Sequence, residues 1–226
     1  MPAARSAQRR IGRPRQVAGV DARELLLEAA LTLFAEHGVA GTAINEIAAR
    51  AGVTPAMVHY YFTNREQLVD ALARERLLPI VTAVWSPVVE ADALVPMVRG
   101  LVQRIVRATE VNPWLPSLWL REVIAEGGQL RARLLSELRF EYVQHLANTV
   151  AAAQRRGAVS PELEPRLLFI SIIGLTLLPL ANLRMMRQVP LLHGVTRQDI
   201  ARHAEGLLGS ALSMRPRRRL PRRSTS

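Results

Sequence analysis

Between residues 42 and 62 the chain has room for two helices of about two turns each, joined by the tight tripeptide Ala51-Gly52-Val53. Ile44, Ile47 and Ala48 recur at helical spacing in the first. The second opens on Thr54 and Pro55, a capping hydroxyl followed by proline at the first helical position. Ala48 is small enough for close helix approach, Gly52 can take a turn conformation closed to other residues, and Val53 plugs the corner. The pattern is a helix-turn-helix. So small a pair has no core of its own, which obliges its neighbours to supply one. Before it, Asp21 caps a helix with Leu26, Ala29, Ala30, Leu33 and Phe34 on one stripe and Gly38 at its end. After it, Asn64 with Gln67 opens a fourth helix that turns Leu68, Leu72 and Leu77 inward.

A helix-turn-helix places its second helix in the major groove of double-stranded DNA, while the helix ends grip phosphates. Thr42 is expected to start the first helix and Thr54 the second, where free N–H groups and the positive dipole end attract phosphate. Pro55, Ala56, Met57, His59 and Tyr60 are the candidate outward residues, with Val58 and Phe62 in the core. Tyr60 and Tyr61 can offer hydroxyls to phosphate, Arg65 is a candidate clamp, and Arg50 is a second one.

Charge supports the same partner. The 226 residues carry 30 arginines, no lysine, 19 acids and a formal net charge of +11. Arg5, Arg9, Arg10, Arg13 and Arg15 crowd the first fifteen residues, and six arginines lie in the last twelve. The body between is formally neutral, and residues 16–78 are locally acidic, with five arginines against eight acids. Residues 1–20 and 213–226, rich in arginine and lacking apolar periodicity, read as disordered ends. Arg9, Arg10, Arg13 and Arg15 are then the expected phosphate contacts of an N-terminal arm, supplying the neutralisation that the folded helices lack.

From residue 79 to 212 the sequence is helical, broken near Pro87, Pro113, Gly127, Gly157 and Gly194. Residues 130–157 read as one long amphipathic helix with Leu130, Leu134, Leu138, Val143 and Leu146 inward. Residues 167–183 form 17 uncharged residues between Arg166 and Arg184, short for a span and interrupted by Pro179. A buried helix without membrane contact, in a cytoplasmic protein, is the expectation. A helix apolar all round needs cover all round, and a two-fold axis is what paired recognition helices require. A homodimer is therefore expected through Ile172, Leu175, Leu178, Ile200, Ala204, Leu207 and Leu208. Met97, Trp114, Trp119, Arg121, Phe140, His145 and Phe169 are candidates for a ligand pocket, with Glu122 as a further scarce polar group. Their apolar bias suits a hydrophobic or aromatic small-molecule effector, anionic if Arg121 faces inward. The alternative for Arg121 and Glu122 is a helix–helix joint with a surface ion pair.

Absent chemistry narrows the function. Without cysteine or lysine there is no thiol or Schiff-base catalysis. The five histidines show no metal-ligand spacing, and no phosphate-binding or nucleophile motif occurs, so no enzyme, metal or cofactor is expected. The rival to a sequence-specific regulator is an architectural protein that binds DNA through its basic ends alone.

The run FAEHGVAGTAINEIAARAGVTPAMVHYYFTNREQLVDAL resembles the DNA-binding domain of the TetR family of bacterial transcriptional regulators over roughly residues 21–75. The resemblance implies an all-α chain: a three-helix helix-turn-helix domain (21–78) joined to a larger helical-bundle ligand and dimerisation domain (79–212). It further implies a dimer formed by the last two long helices, repression as the usual outcome, and phosphate-holding roles for Thr42, Thr54, Tyr60 and Arg65. His59 departs from the family pattern, where tyrosine is common, and Arg65 stands where lysine is commoner.

Overall fold

The computed structural model describes residues 21–89 and 93–213, and the arginine-rich ends lie outside those residues. Among the described residues the chain is all helical. The order is α1 (Ala22–His37), α2 (Ile44–Ala51), α3 (Pro55–Phe62), α4 (Arg65–Leu72), α5 (Leu78–Trp85), α6 (Leu94–Val111), α7 (Leu115–Trp119), α8 (Arg131–Glu137), α9 (Glu141–Arg155), α10 (Leu168–Ala181), α11 (Leu183–Met186) and α12 (Arg197–Ser213). Helices α1–α4 form the N-terminal cluster, and the rest build a larger bundle in which α12 packs on α6 and α10.

Local chemistry explains the first half. Asp21 caps α1 by accepting from the Arg23 N–H at 2.9 Å. Gly52 closes α2 at φ 70°, ψ 24°, a left-handed conformation, and the Val53 N–H returns to the Ala48 carbonyl at 3.0 Å. Asn64 caps α4 by accepting from the Gln67 N–H at 2.9 Å. Every apolar residue assigned inward in α1 is buried, and Leu27, Leu31 and Ala35 join them because α1 is covered on several sides, by α2 and by α7 of the bundle.

The rest departs from the sequence expectation in three places. The fourth helix does not end near residue 78, since α4 runs through a π turn (Ala73–Leu77) into α5. Pro79 explains the turn: it has no N–H for the Glu75 carbonyl, which accepts instead from the Arg76 guanidinium at 3.4 Å, while the Leu78 N–H reaches back to Ala73. The long helix over 130–157 is two, α8 and α9, broken where Leu138 turns extended (ψ 135°). Leu138 and Phe140 are thereby brought to a cavity. The 167–183 run yields the 14-residue α10 and then α11, and no described helix is long and apolar enough to cross a membrane.

Candidate DNA-reading face, cavity and the joint between them

Helix α3 is held by Val58 and Phe62, both 2 % exposed, so its other face turns outward. Thr54, Pro55, Ala56, His59 and Tyr60 are exposed there, and Met57 and Tyr61 are half-buried. Tyr60 is 80 % exposed, far beyond what a packing role would leave, and its ring meets Tyr61 edge-on at 5.1 Å. Thr54 makes no side-chain cap bond, which leaves its hydroxyl free.

Two residues behave otherwise than the sequence suggested. Thr42 does not start α2; Ala43 is the capping position, and the Glu46 carboxylate accepts from its N–H at 3.2 Å. Thr42 is instead 1 % exposed, its hydroxyl donating to the Gly38 carbonyl at 2.8 Å, so it braces the α1–α2 turn and presents no hydroxyl to solvent. Arg65 is half-buried and donates to the Thr42 carbonyl at 2.6 Å, tying α4 to that turn; its Nη2 is buried without a partner.

The bundle encloses a cavity of about 250 Å³. Trp119, Phe140 and Phe169 line it as the sequence suggested. Trp85 was missed, although its ring lies 5.2 Å from Phe169 and forms much of the aromatic wall. Only its being a third tryptophan at a helix end signalled it. The expectation for the other candidates is corrected: Met97 is 2 % exposed in the core away from the cavity, His145 lies outside its walls, Arg121 is exposed, and Trp114 borders a different cavity. Polar groups are few. Arg139, at the edge, pairs with Glu141 at 2.7 Å, and the Trp119 Nε1–H is buried with no acceptor.

Trp119 ends α7, and a second π turn (Leu120–Ile124) follows it. Val123 and Ile124 of that turn also line the cavity. Between them and Trp119 sits Glu122, 5 % exposed and thus neither a surface ion pair nor a pocket residue. Its Oε1 accepts from the Val39 N–H at 2.8 Å and its Oε2 from the Gln129 N–H at 2.9 Å. Val39 belongs to the α1–α2 turn, so one carboxylate joins the helix-turn-helix to the cavity wall. Gly38 makes the approach possible: at φ 80° it has no side chain, and a Cβ there would come within 3.1 Å of the Arg121 and Glu122 side chains. Arg131 braces the same turn, its Nε donating to the Val123 carbonyl at 2.7 Å and its Nη2 to that of Ile124 at 2.5 Å.

The dimer candidates divide by burial. Ile172, Ile200, Ala204 and Leu208 are at most 5 % exposed within the single chain, because α6 and the α10–α12 contact already cover them, which removes them from any outer surface. Leu178 at 53 % and Leu207 at 48 % face outward, with Leu175 half-buried beside them. Gly174 and Gly206, on the same outer side, have open space where a Cβ would stand.

Residues 26–72 match the family described as "Bacterial regulatory proteins, tetR family", and residues 95–204 match "Tetracyclin repressor-like, C-terminal domain". The HTH-type transcriptional repressor SCO4008 of Streptomyces coelicolor is 30% identical over 151 residues, covering 65% of this chain and 72% of that protein. The HTH-type transcriptional regulator BetI of Rhizobium meliloti is 32% identical over 98 residues, 43% of this chain and about half (48%) of that one. The solved structure of AibR in complex with isovaleryl coenzyme A and operator DNA superposes with a TM-score of 0.65 at 22% identity, over 83% of this chain and 97% of that one. With a helix-turn-helix and a regulatory bundle both matched, the chain belongs to the TetR family of bacterial transcriptional regulators.

Proposed function

We propose that the protein is a homodimeric transcriptional repressor whose hold on a palindromic operator is released by a small apolar effector in the tryptophan-lined cavity. One observation carries this reading: the π turn that walls the cavity with Val123 and Ile124 also grips the helix-turn-helix through Glu122 and Val39. A ligand that shifts Trp119 or Val123 displaces Glu122 by main-chain continuity, and with it the turn on which α2 and α3 depend. Coupling of this kind needs only a differential contact between the bound and free states.

The cavity's walls select an apolar or aromatic group, and the buried Trp119 Nε1–H, which has no partner, favours a ligand with an acceptor such as a carbonyl oxygen. The isovaleryl coenzyme A complex of AibR supports a short acyl group as one such occupant. Outward α3 residues Thr54, Ala56, His59 and Tyr60 read or grip the groove, with Arg9, Arg10, Arg13 and Arg15 adding phosphate contacts from outside the described residues. The outer stripe of α10 and α12, around Leu178 and Leu207 with Gly174 and Gly206 allowing close approach, forms the dimer.

Genome-wide mapping of bound sites supplies the operator for the test. The Tyr60→Ala variant then loses about tenfold or more in operator affinity while remaining dimeric, and unchanged affinity would sink the groove-helix assignment. Leu178→Glu yields a folded monomer, since the residue is exposed in the single chain; a dimer that persists would refute the interface.

A further inference from the structure

Most arginines in the body of this protein are paired. Arg23, Arg50, Arg76 and Arg133 meet acids, and Arg65, Arg104 and Arg131 meet backbone carbonyls. Six have no acid and no carbonyl partner among the described residues, and three of these, Arg184, Arg187 and Arg197, line one cavity. It measures about 510 Å³, twice the volume of the tryptophan-lined one, and shares no wall residue with it. Arg197 is half-buried, and its Nε is fully enclosed with no hydrogen-bond partner. An unsatisfied donor on a fixed cation is costly, and an anion in the cavity removes that cost. Glu36 is the one acid on the wall, and it is engaged by Arg50 at 3.6 Å.

We propose that this cavity is a binding site for a small organic phosphate, distinct from the apolar effector site. Planar guanidinium groups match phosphate oxygens in pairs, which favours this anion class over a simple halide. The volume exceeds what one inorganic phosphate fills, and Trp114 on the wall offers an aromatic face to a planar ring, so a nucleoside diphosphate fits the chemistry. Arg197 is the anchor, because its Nε is already desolvated; Arg184 and Arg187, both exposed, close over the ligand. The opposite wall is α1, through Thr32, Ala35 and Glu36. A ligand held there adds contacts between the helix-turn-helix cluster and the α10–α12 layer, so this second site bears on the same α1 that Glu122 approaches from its end.

The test uses the full-length protein with adenosine diphosphate and inorganic pyrophosphate as probes, read by calorimetry and tryptophan fluorescence. Adenosine diphosphate binds the wild type and quenches fluorescence; Trp114→Phe removes most of that quench and keeps the binding heat. Arg187→Ala, an exposed change that leaves the fold intact, weakens binding about tenfold, and Arg197→Ala weakens it further. Pyrophosphate binds more weakly than adenosine diphosphate if the ring contacts Trp114. Binding carried by the arginine-rich ends would survive both arginine substitutions unchanged and leave Trp114 silent, and that result overturns the proposal, as does absence of binding by either probe. The neutral apolar dye N-phenyl-1-naphthylamine serves as the control for the tryptophan-lined cavity. Its binding is unaffected by Arg187→Ala, so failure at one site is read separately from failure at the other.

Discussion

The two π turns meet the helix-turn-helix cluster by opposite means. The turn at 73–77 is bound to α1 on the surface: Arg23 donates to both Glu75 oxygens at 2.5 and 2.7 Å, and Arg76 pairs with Glu24. The turn at 120–124 is bound to it through the buried Glu122, which receives two backbone N–H groups. Exposed pairs have water as a ready substitute and contribute about 0–1 kcal/mol each. A buried carboxylate has none, so the groups it serves are either satisfied or stranded. A joint of the first kind yields gradually, and one of the second kind switches. Of the two, the switching joint is the one that shares its turn with the cavity.

Breaking the buried joint has the largest expected effect. Glu122→Ala strands the Val39 and Gln129 N–H groups and costs about 2 kcal/mol of stability or more, a fall in Tm of about 4–8 °C. Operator affinity falls with it, and effector no longer changes that affinity. Thermal unfolding and operator titration with and without effector check this; a variant that keeps its effector response rules Glu122 out as the link. Loosening the same turn without cutting it is the next step down. Arg131→Ala uncaps the Val123 and Ile124 carbonyls and costs about 1 kcal/mol while altering effector affinity more than operator affinity.

The smallest effect belongs to the surface joint. Arg23→Ala lowers stability by under about 1 kcal/mol, and less still at high salt. It also carries a pH signature. The hydrogen bond from Arg23 holds the Glu75 carboxyl below its ordinary value. A carboxylate with a depressed folded pKa stabilises the fold above its unfolded pKa, and that contribution disappears as pH falls through the folded one. The wild type should therefore lose this increment on acidification below the usual carboxylate range, and Arg23→Ala should lack it. Denaturant titrations of both proteins from pH 7 to pH 3 measure the difference, and parallel curves would show the pair to be idle.

Much of the N-terminal cluster was legible because its signals are local. Asp21, Gly38, Gly52, Pro55 and Asn64 each act within a few residues of themselves, and the structure places them at the ends and turns they imply. Thr42 was misread for a related reason: its hydroxyl could serve either the next helix or the previous turn, and the carbonyls of Gly38 and Leu33 that took it lie behind it in the chain. Thr63 gave no warning either. It holds φ 51°, rare for a β-branched residue, because α3 and α4 must be joined within two residues.

In the bundle, periodicity announced apolar helices and could not say which of their faces would be shared. Leu207 and Leu208 are neighbours of the same chemistry; one is 48 % exposed and the other 5 %. Trp85, Trp119 and Phe169 come from three separate helices and Phe140 from the break between α8 and α9, and no spacing rule connects them. The sequence by itself determined the all-helical class and the helix-turn-helix, since caps and turns are properties of short stretches. Only the tertiary structure decided that Glu122 would be buried against Val39, 83 positions away, and that Arg184, Arg187 and Arg197 would share a cavity. Contacts at that distance in the chain depend on how every intervening helix packs.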